Sequence, residues 1–75
     1  MSFKTFKVMM EILDYTQSPK TIQEIAKHTN ITQPTARRIV YWLETEELVE
    51  FVGLRKVHKI RPVALFQAKA KLVRS

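Results

Sequence analysis

Six hydrogen-bonding side chains lie close together in this 75-residue chain: Thr32, Gln33, Thr35, Arg37, Arg38 and Tyr41. The amide of a Gln suits adenine in a bidentate contact, and the guanidinium of an Arg suits O6 and N7 of guanine. A Thr can contact a thymine methyl group or a phosphate, and a Tyr can reach the sugar–phosphate backbone. These residue types indicate contacts to duplex DNA, although spacing alone does not separate base contacts from phosphate contacts.

A helix must present these side chains while its opposite face is buried. Thr32 is a suitable N-cap, and Pro34 falls in the first turn, where a missing amide costs nothing. Apolar residues recur behind the polar ones at helical spacing, at Ala36, Ile39, Val40 and Leu43. The pattern predicts a recognition helix over residues 33–46, whose first turn is also suited to a phosphate.

A shorter helix and a tight turn precede this segment. Thr21 and Glu24 have the spacing of a capping box, which predicts a helix from residue 21 to about 28. Asn30 tolerates the left-handed backbone that often ends a helix. Residues 21–46 are therefore expected to form two helices joined by a turn.

The remaining residues supply flanking elements. Apolar residues recur at steps of three and four from Ser2 to about Thr16, which predicts a first helix. Residues 48–52 and 56–60 are short and rich in β-branched residues, and Gly53 lies between them, so a β-hairpin with its turn at residues 53–55 is expected. Pro62 is expected to open a last helix over about residues 62–74.

The charge is concentrated in one part of the chain. The net charge is +6, and residues 51–75 contain seven Lys or Arg and no acidic residue. A polyanion is the expected partner, with nucleic acid favoured over an anionic membrane surface. The simpler alternative is that the positive charge only keeps the protein soluble. The hairpin is expected to contact the DNA backbone or the adjacent minor groove through Arg55, Lys56 and Lys59, and Lys20, before the second helix, is expected to reach a phosphate.

Several classes of protein are not indicated. The chain has no cysteine and only two histidines, so neither a thiolate metal site nor a histidine cage is expected. No nucleophile motif or glycine-rich phosphate loop occurs, and no apolar run approaches the length of a membrane span. We expect no enzymatic activity, no cofactor, no small-molecule effector and no membrane association. A cytoplasmic location is expected, at the nucleoid or, for a viral or plasmid protein, in the host cytoplasm.

The order of helix, capped helix, turn, capped helix and basic hairpin resembles the winged helix-turn-helix family of DNA-binding proteins. The resemblance runs from about residue 3 to residue 62 and is sharpest in ITQPTARRIVYWLETEELVE. It departs from the family pattern at Glu47, where the family usually has Gly. It implies an α+β, mainly α, winged helix-turn-helix domain over residues 1–75, and sequence-specific binding of double-stranded DNA by a transcriptional regulator.

A homodimer is the expected assembly, because helix 1 and the predicted C-terminal helix carry more apolar surface than a chain of this size can easily cover. The alternative is a monomer whose last helix folds back on helix 1. Two other functions remain open: a winged-helix module for protein–protein interaction, and non-specific binding of nucleic acid by the basic C-terminal half. An interaction module would normally expose apolar residues on the helix over residues 33–46, where this chain has Gln, Thr and paired Arg.

Overall fold

The computed structural model describes residues 2–56 and 61–69 of the chain. Three helices come first: α1 (Phe3–Tyr15), α2 (Ile22–Thr29) and α3 (Gln33–Thr45). Two antiparallel strands follow, β1 (Val49–Arg55) and β2 (Val63–Ala68). The predicted winged helix-turn-helix architecture is confirmed, with three helices and a two-stranded hairpin as the wing.

Each helix begins at a side-chain cap. Ser2, Thr21 and Thr32 are the N-caps, and each hydroxyl oxygen accepts a hydrogen bond from the amide three residues farther on. At α2 the capping box is complete, because the Thr21 amide also donates to a carboxylate oxygen of Glu24 at 2.9 Å. These contacts satisfy amides that have no partner within the helix, which explains why the helices begin where the sequence predicts.

Two residues with positive φ end the second and third helices. Asn30 has a φ of 59° and Glu47 a φ of 62°, both in the left-handed region. The amide of Leu48 then donates to the carbonyl of Leu43 at 2.9 Å, which closes the end of α3. The turn thus keeps the left-handed geometry that a Gly would adopt more easily, and Glu47 adopts it without a change in the fold.

The hydrophobic core lies between the helices and the wing. Its buried side chains come from every element: Ile12, Ile25, Ala26, Ala36, Val40, Leu43, Val49 and Phe66. Within the described residues, no buried side-chain nitrogen or oxygen lacks a hydrogen-bond partner. Because both strands contribute to this core, the wing is packed against α3 and does not extend freely into solvent.

The second strand of the wing lies later in the chain than the sequence predicted. Val49 pairs with Ala68 and Arg55 with Val63, so the partner of β1 is β2 and not residues 56–60. Gly53 lies inside β1 at an irregularity of the register, with a φ of 149°, and does not form the hairpin turn. The prediction of a turn at residues 53–55 was therefore wrong; residues 57–60 lie outside the described part of the chain.

The predicted C-terminal helix is wrong over Val63–Ala68, which form β2. Backbone pairing explains the strand, since Phe66 and Lys20 exchange two hydrogen bonds of 2.9 and 2.8 Å on one edge while β1 pairs with the other. A helix here would leave the backbone groups of β1 and Lys20 without these partners. These residues therefore cannot supply a helical dimer interface; residues 70–75 lie outside the described part.

Candidate nucleic-acid interface

The polar side chains predicted for DNA contact are exposed on and next to α3. They are Thr32, Gln33, Thr35, Arg37, Arg38 and Tyr41. The opposite face of the helix is buried through Ala36, Val40 and Leu43. The fold therefore leaves all six predicted residues accessible to solvent, as a recognition helix requires.

Three of these side chains line a groove between α3 and the wing. Gln33, Arg37 and Tyr41 are spaced by four residues, which places them above one another along the helix. The groove measures about 210 Å³, and its other walls come from the start of α2 and from β2: Thr21, Ile22, Gln23, Val63, Ala64 and Phe66. Polar side chains of α3 thus face apolar residues of the wing.

Arg38 lines a different groove. This second groove, of about 240 Å³, lies between α1 and α3, and its remaining lining residues are Thr5, Met9, Ile39 and Trp42. Arg37 and Arg38 are adjacent in sequence, yet they border different grooves, because successive residues are rotated by about 100° around a helix. The sequence does not show which element lies beside each arginine, because that depends on the packing around α3.

Aromatic contacts hold Tyr41 in the first groove. Its ring meets the ring of Phe66 edge-on, with centroids 6.2 Å apart and an angle of 61°. Phe66 in turn meets Phe51 of β1 at 6.1 Å and 65°. Such edge-to-face pairs are favourable beyond the area they bury. Phe66 therefore connects the wing, the core and the exposed face of α3.

The two arginines of α3 have no carboxylate partner in the described residues. Within 4.0 Å, the only ion pair there joins Arg55 and Glu24. Arg37 and Arg38 are exposed and leave their positive charge uncompensated by a neighbouring acid. An ion pair to Glu44, the alternative role for exposed arginines on this helix, does not form. The electrostatics of this surface suit an anion such as a phosphate or an electron-rich base edge.

Arg55 lies at the end of β1 and forms an ion pair with a carboxylate of α2. Its Nη1 donates to Oε2 of Glu24 at 3.0 Å, while the other oxygen of Glu24 accepts from the Thr21 amide. The hydrogen bond from the Thr21 backbone, opposed by partial burial and assisted by Arg55, lowers the pKa of Glu24. The sequence predicts the capping box, but the ion pair requires the tertiary packing of the wing.

The other predicted backbone contacts differ in their surroundings. Lys56 is exposed directly after β1, whereas Lys59 lies outside the described residues. Lys20 is half-buried: its Nζ donates to Ser18 Oγ and lies 4.9 Å from the centre of the Tyr15 ring. Lys20 thus already has intramolecular partners, so any phosphate contact must compete with them.

Metal-binding groups and membrane-spanning helices are both absent from the described residues. Among residues 2–56 and 61–69, no group of three or more His, Cys, Asp or Glu is placed to hold a metal ion. In the same part of the chain, no helix combines the length and apolar character needed to cross a bilayer.

The chain is similar to a known family in sequence and to a solved structure in fold. A sequence model of the IclR helix-turn-helix domain matches residues 5–53, from α1 into β1. Among solved structures, the chain is similar to a protein described as a possible transcriptional regulator from Methanosarcina mazei Go1, with 15% identity and a TM-score of 0.75. The similarity covers 95% of this chain and 58% of that one, so the two share a fold but not a length. No curated protein is significantly similar in sequence.

Proposed function

Because the chain belongs to the IclR helix-turn-helix domain family, we propose that it is a transcriptional regulator that recognises a preferred sequence in double-stranded DNA. DNA binding is the activity of this domain, and the family is not an enzyme family. The proposal adds sequence preference, a recognition helix in the major groove, a wing on the backbone and a homodimer. A DNA partner also makes the cytoplasm the proposed location.

One observation carries the proposal: α3 exposes Gln33, Thr35, Arg37 and Arg38 without a carboxylate partner in the described residues. An α-helix fits the major groove, which is about 12 Å wide, and amide and guanidinium groups match the base edges displayed there. A module for protein–protein interaction would normally expose apolar side chains on this face. The composition of α3 therefore favours DNA over a protein partner.

The wing supports the proposal through charge. Arg55 and Lys56 are exposed at the outer end of β1, and residues 51–75 contain no acidic residue. Such side chains would lie along a sugar–phosphate backbone or enter the adjacent minor groove, together with Lys59. They add affinity for any duplex and do not read its sequence.

The outer face of α1 supports the proposed homodimer. Phe3 is 85% exposed, and Phe6 and Met10, on the same side of the helix, are 46% and 43% exposed. A contiguous apolar surface of this kind in a soluble protein commonly marks an interface. Two-fold pairing through α1 would present two recognition helices to a pseudo-palindromic site.

Charge along α1 indicates how two copies would pair. Lys4 and Lys7 lie in the N-terminal half, whereas Glu11 and Asp14 lie in the C-terminal half. This order is the reverse of what the dipole of an isolated helix favours, since acids belong near its start and bases near its end. An antiparallel α1 from a second copy would place acidic residues beside basic ones and offset this arrangement.

Selection of bound duplexes from a random pool tests the proposal, because it reports sequence preference, half-site symmetry and spacing together. The protein should enrich a defined sequence and bind it with an affinity that falls steeply with salt, as several phosphates are neutralised. The double variant Arg37→Ala/Arg38→Ala should lose the preference. A double variant of two exposed lysines outside α1, α3 and β1, Lys27→Ala/Lys69→Ala, removes the same charge and should retain it.

Three outcomes would contradict the proposal. Enrichment of no sequence, despite binding, would indicate a non-specific nucleic-acid-binding protein. Failure to shift any duplex at low salt would favour the protein-interaction module. Survival of the preference in the Arg37→Ala/Arg38→Ala variant would show that α3 is not the recognition helix.

A further inference from the structure

The two adjacent arginines of α3 border different grooves, and this separation gives them different tasks. We infer that Arg37 binds a backbone phosphate in the groove between α3 and the wing, whereas Arg38 reaches a base edge and determines specificity. This inference rests on the proposed function and assigns the contacts within the same interface.

The orientation of each residue around α3 follows from helix geometry. Successive residues are rotated by about 100°, and the buried residues Ala36, Val40 and Leu43 define the direction of the core. From the centre of that buried stripe, Arg38 is rotated by roughly 170° and Arg37 by roughly 90°. Arg38 therefore starts from the face of α3 opposite the core, beside the groove between α1 and α3, and Arg37 starts from the flank of α3 next to the wing.

These two directions meet different parts of a duplex. A helix with its side chains is about 10–12 Å in diameter, so it nearly fills a major groove about 12 Å wide. The side chain directly opposite the core then points at the floor of the groove, where base edges are displayed. Side chains on the flank of the helix meet the rim of the groove, which is formed by phosphates.

The groove around Arg37 has the composition that a phosphodiester and its sugar require. Gln33, Arg37 and Tyr41 contribute amide, guanidinium and phenol groups along one wall, all from α3. The wall from the wing consists of Val63, Ala64 and Phe66, which suits the apolar face of a deoxyribose. The Tyr41 ring also meets the Phe66 ring edge-on, with centroids 6.2 Å apart, so the two walls are in contact at one end of the groove.

The same geometry gives Gln33 a contact different from the one that the sequence predicts. The sequence makes it suitable for a bidentate contact to adenine, but it lines the groove between α3 and the wing together with Arg37. It therefore accompanies Arg37 on the backbone. Arg38 remains as the long side chain of α3 that is directed at the bases.

Single variants of the two neighbours, measured on the selected duplex and on scrambled duplexes over a range of salt, separate the roles. Arg37→Ala should weaken all duplexes by a similar factor and reduce the salt slope by about 0.9, the value for one phosphate. Arg38→Ala should weaken the selected duplex about tenfold or more and the scrambled duplexes much less.

Lysine substitutions provide matched controls, because they retain the charge and remove the bidentate geometry. Arg37→Lys should bind nearly as the unmodified protein does, since Lys serves a phosphate as a point charge. Arg38→Lys should lose discrimination among duplexes, since a Lys lacks the planar fork of a guanidinium. Rescue by Lys at position 37 and not at position 38 is the expected signature.

Equal effects of the two single variants, or the reverse pattern, would overturn the division of roles. That failure differs from failure of the proposed function. If the double alanine variant loses sequence preference while the single variants behave alike, only the division is wrong. If the double variant keeps the preference, the recognition helix itself is wrong.

Discussion

Oε2 of Glu24 lies 3.0 Å from Nη1 of Arg55, and this ion pair links the first turn of α2 to the end of β1. The other carboxylate oxygen of Glu24 caps α2 through the Thr21 amide. The Glu24 carboxylate thus caps α2 and also forms an ion pair with Arg55 of the wing. Because both partners are well exposed, the pair itself contributes at most about 1 kcal/mol to stability.

Replacing Glu24 by Gln should separate these two tasks. Gln can accept the same capping hydrogen bond, so we expect a loss of less than about 1 kcal/mol in the free energy of unfolding. The charge of Arg55 is then no longer compensated, so affinity for every duplex should rise and the salt slope should steepen. Denaturant unfolding and binding titrations measure the two effects.

The matched control for this variant is Glu46→Gln, which removes one exposed carboxylate that has no ion pair in the described residues. It should change affinity less than Glu24→Gln does. Equal gains in affinity from both variants would show that only net charge matters and that the Glu24–Arg55 pair does not limit binding.

The lowered pKa of Glu24 predicts a dependence of stability on pH. A carboxyl whose pKa is lower in the folded protein stabilises it fully above the pKa of the unfolded chain, near the usual 4.5. This stabilisation is lost as the pH falls through the lowered pKa. Thermal unfolding of the unmodified protein and of Glu24→Gln should therefore differ most at neutral pH and converge in acid. A constant difference across pH would contradict the assignment.

Glu47 adopts a φ of 62°, which costs a residue with a side chain about 1 kcal/mol relative to Gly. Glu47→Gly should therefore raise the free energy of unfolding by about that amount. The neighbouring substitution Glu46→Gly is the control, because Glu46 has a φ of −82° and gains nothing from Gly. Denaturant unfolding should show stabilisation in the first variant and a small loss in the second; equal losses would refute strain at Glu47.

The proposed dimer predicts a specific response to charge on α1. Phe6→Glu and Met10→Glu alter exposed side chains and should leave the fold intact, while converting dimers to monomers in sedimentation equilibrium. Phe51→Glu alters an exposed aromatic residue of the wing and should leave the dimer unchanged. A monomeric unmodified protein, or dimers that survive both α1 substitutions, would rule out this interface.

The helices were predictable because their determinants are local. The caps at Ser2, Thr21 and Thr32 bond to amides three residues away, so their partners can be read along the chain. The apolar stripe of α3 repeats at helical spacing and is buried as expected. The exposed face of α3 followed from the same periodicity.

The wing was less predictable because its determinants are distant. Residues 63–68 contain an apolar run whose spacing is compatible with a helix or a strand. Pairing with β1 on one edge and with Lys20 on the other selects the strand. Those partners become visible only when the chain is folded, which is why the helix predicted there was wrong.

The sequence by itself determined which side chains α3 would expose, since caps and apolar periodicity act over a few residues. Only the tertiary structure decided what those side chains face. Arg37 and Arg38 are neighbours in the chain but border different grooves, one beside the wing and one beside α1. Glu24 and Arg55 are 31 residues apart but form an ion pair. Position around a helix is a local property, whereas the neighbours of each face are set by the packing of distant elements.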